Sequence, residues 1–244
     1  MNVVMVGAHQ DDEMSAVGTL LKCAARGDSV SLVSISNGDK GGQFDPSIPH
    51  DEISRIRIAE CTAVAEALGG HYYCLGQEDE YIADTRETRD QLTELLRVLK
   101  ADLVLTSPPN DYNPDHIITG EIVFHAVMLT TVRTMTWEAV PLERTPAMYY
   151  VDSTGGIGFE PTDYVDISDV FERKLEICAL HKSQMANMAT FGGWDLVTYA
   201  KVVNRYRGLQ CSVEYAEAFR AEMRWPRAMP YDFLPKGVRP GVKV

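Results

Sequence analysis

Residues 3–13 read VVMVGAHQDDE. The apolar run Val3 to Val6 has the length and composition of a short, fully buried strand. Gly7 and Ala8 turn the chain, and His9, Asp11, Asp12 and Glu13 follow at once. Three acids and an imidazole at the end of a buried strand repel one another and add nothing to a core. Local rules are usually broken in this way at a functional site. Downstream, Val17, Leu20, Leu21 and Ala24 share one face of a helix expected from Ser15 to Arg26, which Gly27 stops. Ser29 to Ile35 reads as a second strand. Strand, helix and strand in such quick succession form a βαβ unit, which predicts a parallel sheet.

The same alternation continues. Helices are expected over Asp51–Leu68, Arg86–Leu99 and from His116 to about Val132, and strands over His71–Leu75, Asp102–Thr106 and Ala147–Val151. Tyr164–Ile167 is a candidate sixth strand, and Val170–Gln184, Trp194–Tyr206 and Val213–Met223 read as further helices. The expected architecture is one α/β domain over residues 1–225, with a mostly parallel sheet and helices on both faces. A proline-rich arm over 226–244 would follow it. Ligands in such sheets bind beyond the carboxyl ends of strands. Strands one, two and four all end in unusual loops: His9–Glu13, the glycine-rich Asn37–Gln43, and the polar Ser107–His116.

Bulk properties exclude several classes. A net charge of -12 argues against nucleic acid or an anionic membrane surface as the main partner. The glycine-rich loop lacks the GxxxxGK[ST] spacing and no GxGxxG follows strand one, so nucleotide binding is unsupported. The five cysteines form no CxxC pair and sit among apolar neighbours. They read as reduced core thiols of a cytoplasmic protein. Neither a signal peptide nor an apolar run of membrane-spanning length is expected.

His9 and Asp12, three residues apart in a tight turn, can face one point. A nitrogen and a carboxylate there begin a zinc site, and His116, opening a helix at the same sheet edge, is the natural third ligand. Two histidines and an aspartate favour zinc over magnesium, with ferrous iron as the alternative. Such an ion lowers the pKa of water and polarises a carbonyl. Asp11 is then spare and suits a general base. Glu13 fits a capping or supporting role. The blander alternative stays open on spacing alone: a structural histidine, and acids that cap a helix.

Ala8-His9-Gln10-Asp11-Asp12-Glu13 resembles the AHPDDE signature of the zinc-dependent PIG-L/LmbE deacetylases. Ser36–Gly42 looks like that family's second-strand loop, Arg57–Glu60 its Arg-xx-Glu helix and Asn113–His116 its HPDH segment. His181–Gln184 and Tyr215–Phe219 resemble its late motifs. The resemblance implies a Rossmann-like fold and hydrolysis of an N-acetyl group from an amino sugar or its conjugate. It carries the metal ligands to His9, Asp12 and His116, the general base to Asp11, and a substrate contact to Arg57. Asp39, Lys40, Tyr112 and His181 are further candidates to meet a carbohydrate-like small molecule. Two departures stand out. Gln10 replaces a proline, which is expected to loosen the turn. Asn113 replaces the histidine that stabilises the oxyanion or protonates the leaving amine; it can donate a hydrogen bond but cannot act as an acid. The family also includes a hydratase acting on small unsaturated oxo-carboxylic acids, which expels no amine, and that is the alternative function. The proline-rich tail and the family's habits suggest a homo-oligomer.

Overall fold

Val3, Val4, Met5 and Val6 of β1 (Asn2–Gly7) are all at most 1% exposed, because this strand lies in the middle of the sheet. The computed structural model describes residues 1–42, 45, 47–135, 137–192, 195–227 and 233–235. Among them, β1 is joined by β2 (Ser29–Ser36), β3 (His71–Gln77), β4 (Leu103–Thr106), β5 (Ala147–Val151), β6 (Asp163–Asp166) and β7 (Ala216–Ala221). The spatial order is β3-β2-β1-β4-β5-β7-β6. The pairs from β3 through to β5 are parallel, and β7 runs antiparallel to both β5 and β6.

The two faces of β1 feed two cores. Val3 and Met5 pack with Val17 and Leu20 of α1 (Val17–Ala25) and with Cys61 and Val64 of α2 (His50–Ala67). Phe171 and Ile177 of α5 (Phe171–Cys178) join the same cluster. Val4 and Val6 meet Leu92 and Leu96 of α3 (Arg86–Val98) and Ile122 and Val123 of α4 (Pro114–Leu129) on the other face. A strand covered on both faces carries a continuous apolar run rather than an alternating one.

Two expectations need correction. Val213–Met223 was expected to be helical, but Ala216–Ala221 is β7. Alanine and glutamate favour helix intrinsically, yet tertiary demand decides here. Glu217 is 1% exposed, and its carboxylate accepts from the backbone N–H groups of Gly18 and Thr19 at 2.9 and 2.7 Å and from Lys174 Nζ at 2.7 Å. Val170–Gln184 is also not one helix: it breaks after Cys178, and α6 (Lys182–Gly192) starts afresh. The last helix, α7, runs Leu196–Cys211. Most of the proline-rich arm lies outside the described residues, although Arg227, Phe233 and Leu234 within it are buried. All five cysteines are free. Among the described residues, no helix is long and apolar enough to cross a membrane.

The chain winds β1-β2-β3 to one side and then crosses to β4 on the other side of β1. The crevice between β1 and β4 is therefore the switch point where ligands bind in open α/β sheets. The loops after both strands open into it.

Candidate active site

The turn after β1 is built around Asp12. Its Oδ2 accepts from the backbone N–H groups of Ala8 and His9 at 2.6 and 3.1 Å. Those two bonds aim the other oxygen, Oδ1, outward. The fold-back needs Gly7, because a Cβ there would lie 2.6 Å from Cβ of Asp12. Gln10 does not loosen the turn as expected. It is fully buried, and its Nε2 donates to Ser34 Oγ and Ser36 O at 3.2 and 2.9 Å, which ties the turn to the end of β2.

His116 arrives from the first turn of α4. Asn113 caps this helix, its Oδ1 accepting from the Asp115 N–H at 2.8 Å, and Pro114 occupies the first position, where a missing N–H costs nothing. The strands and turns bring three donor atoms together. His9 Nδ1 lies 3.2 Å from His116 Nε2, His116 Nε2 lies 3.2 Å from Asp12 Oδ1, and the third edge is 3.9 Å. Donors at zinc-ligand distances of about 2.0–2.2 Å in a tetrahedron stand roughly 3.3 Å apart, so the triangle fits a small divalent ion.

Each histidine is held from behind by a carboxylate. His9 Nε2 lies 2.9 Å from Asp79 Oδ1, and His116 Nδ1 lies 3.0 Å from Asp111 Oδ1. Such partners fix the tautomer and leave the other nitrogen free for a metal. Neither aspartate was singled out from sequence. Both follow strands that end at the same sheet edge, and that was the available signal. Burial alone would lower the His116 pKa, but the charge of Asp12 and the bond to Asp111 lift it to about 10. Burial opposes Asp12 ionisation too, but the two histidines hold its pKa well below the usual range.

Asp11 points elsewhere. Its Oδ1 accepts from Arg57 Nη2 at 2.8 Å, and the side chain is 23% exposed, towards the cavity it lines. Arg57 is 4% exposed, and its Nη1 also lies 3.4 Å from Asp79. The candidate base and the carboxylate behind His9 thus share one guanidinium.

The cavity measures about 500 Å³. His9, Asp11, Asp12, Arg57, Tyr112, Asn113 and His116 all line it. Tyr112 is 71% exposed at its mouth, edge-on to the His116 ring. Three other candidates do not line it. Asp39 accepts from the Asp79 N–H and pairs with Lys40, and Lys40 also pairs with Glu78. His181 is 1% exposed, and its Nε2 meets Glu13 Oε1 at 2.5 Å. These residues support the walls. His125 is on Asp84, away from the cavity.

The chain is similar to known proteins over most of its length. Over 89% of its length the chain is 27% identical to the diacetylchitobiose deacetylase of Thermococcus kodakarensis, 82% of which is covered. The N,N'-diacetylchitobiose deacetylase of Pyrococcus horikoshii superimposes with a TM-score of 0.80 at 25% identity, covering 90% of this chain and 82% of that one. A 4-carboxy-2-hydroxymuconate hydratase from Pseudomonas putida superimposes with a TM-score of 0.75, over 96% of this chain and all of that one. At 18% identity it shares the fold alone. The sequence profile described as PIG-L, GlcNAc-PI de-N-acetylase, matches residues 4–127, from β1 through the His116 helix. The chain belongs to the PIG-L family.

Proposed function

We propose that this protein is a metal-dependent N-deacetylase that releases acetate from an N-acetylated amino sugar or its conjugate. The observation that carries this reading is the triangle of His9 Nδ1, Asp12 Oδ1 and His116 Nε2, with Asp11 beside it in the same cavity. Two imidazoles and one carboxylate suit zinc, with ferrous iron as the alternative. A bound ion of this kind supplies an acidified water and a positive charge for the developing oxyanion.

The protein's own groups do the rest. Asp11 accepts the proton of the attacking water, and Arg57 fixes the orientation of its carboxylate from 2.8 Å. Asn113 spends its carbonyl oxygen on the helix cap, which leaves Nδ2 as the end able to donate to the oxyanion. With no histidine at 113, Asp11 returns the proton to the departing amine. The atoms balance: an acetamide and water give an amine and acetic acid, which ionise to ammonium and acetate. Tyr112 offers an exposed ring face to a sugar at the cavity mouth.

The hydratase alternative is not favoured. Sequence relatives are named as deacetylases. A polycarboxylic substrate would also need a cation, and Arg57 is already engaged by Asp11 and Asp79. The decisive experiment measures acetate release from N,N'-diacetylchitobiose and N-acetylglucosamine by zinc-loaded wild type and Asp11→Asn. The variant should lose on the order of 10²–10⁴ in kcat. No acetate from any acetamide would overturn the reading.

A further inference from the structure

The cavity is acidic well beyond what its chemistry needs. Among the described residues its lining holds seven carboxylates and two cationic side chains, Arg57 and Lys174. Neither cation is available to a ligand. Arg57 is shared by Asp11 and Asp79, and Lys174 is 3% exposed and sits 2.7 Å from Glu217. Both histidines in the lining belong to the metal triangle. Asp152, on the far wall, is neutralised from behind by Arg207 at 2.6 and 2.9 Å. Glu80, on the near wall, is exposed, and its carboxylate makes no ion pair with any described residue. A divalent ion on His9, Asp12 and His116 offsets two charges and still leaves a negative surplus. Thr154, an exposed and uncharged lining residue, suits a hydroxyl.

We infer that this site selects an uncharged N-acetylated amino sugar and rejects conjugates that carry a carboxylate or phosphate. The inference rests on the deacetylase reading and narrows its substrate class. Among the described residues the walls hold no unpaired cationic side chain to receive a second anionic group, and like charge in a cleft is a penalty. The amine leaves the reaction as an ammonium, which the surplus of carboxylates attracts.

The test compares kcat/KM for N,N'-diacetylchitobiose and N-acetylglucosamine 1-phosphate on the zinc-loaded enzyme. The phosphate should be poorer by at least about tenfold. Its kcat/KM should rise with added salt, which screens the repulsion, while that of the neutral sugar stays level. Glu80→Lys should move the ratio towards the phosphate by about fivefold. Calorimetry on metal-free protein gives an independent readout: glucosamine should bind more tightly at low than at high ionic strength. A phosphate cleaved as well as the neutral sugar, with no response to salt or to Glu80→Lys, would overturn the selectivity and leave the deacetylase reading standing. No acetate from either substrate would overturn that reading and the selectivity with it.

Discussion

Asp79 Oδ1 lies 2.9 Å from His9 Nε2, on the side of the ring opposite the metal triangle. A carboxylate there holds a proton on Nε2 and leaves Nδ1 as the nitrogen that would give up its proton to a metal. Its own position is fixed by the Lys40 N–H at 3.3 Å and by Arg57. Asp79→Ala should weaken metal affinity by about 10- to 100-fold, measured by competition with a chromophoric chelator, while Asp79→Asn keeps most of it. Equal affinity in Asp79→Ala and wild type would show that the ring needs no such partner.

Arg57 makes a different demand. At 4% exposure it separates the carboxylates of Asp11 and Asp79. Removing one partner of a buried ionic cluster leaves the others uncompensated, at a cost of about 3–5 kcal/mol. Arg57→Ala should therefore lower stability in denaturant titrations by that order, as well as kcat. Unchanged stability in Arg57→Ala would show that the two carboxylates need no shared guanidinium.

The contrast between these residues and the β1 turn explains what the sequence made legible. His9, Asp11 and Asp12 are local: a buried strand ending in acids is visible without any fold. His116 is recognisable because it too follows a strand at the same edge. Asp79 and Asp111 acquire their roles only from packing, since what matters is which ring they stand behind. For Arg57 and Lys40 the sequence leaves substrate contact and pairing with local acids equally open, because ion pairing across loops is not visible in it. β7 was misread for the same reason. Its alanines are small enough for a crowded strand, and Glu217 is retained to cap a helix about two hundred residues upstream, a partner that no local window contains.

Protonation of the metal triangle gives a pH dependence whose sign can be worked out. Burial alone would lower the His116 pKa, but Asp12 and Asp111 raise it to about 10, above the ordinary 6.5. His9 is raised as well: burial lowers its pKa, and Asp115, Asp12 and Asp79 more than offset that. A pKa raised by folding contributes stability that is complete below about 6.5 and lost as pH climbs through about 10. The metal-free protein should therefore lose thermal stability over that window. A metal held by both rings would displace their protons, so its binding should release protons in calorimetry across buffers of different ionisation enthalpy. A flat metal-free Tm over the window, or metal uptake without proton release, would contradict the assignment.

Asn113 stands where the sequence departs from the HPDH motif it resembles, and its two ends have separable surroundings. Its Oδ1 caps α4 through the Asp115 N–H at 2.8 Å, and its side chain lines the cavity. Asn113→Ala removes both and should cost about 1 kcal/mol of stability along with activity. Asn113→Asp keeps an equally good cap oxygen and removes the N–H donor, so the two duties part. If Nδ2 supports the oxyanion, Asn113→Asp should unfold at the wild-type temperature yet lose about 10²-fold in kcat. If the residue is only a cap, the aspartate variant keeps its kcat and Asp11 alone moves the proton. A thermal melt and a steady-state acetate assay on the same preparation distinguish the two, because only a catalytic donor separates rate from stability.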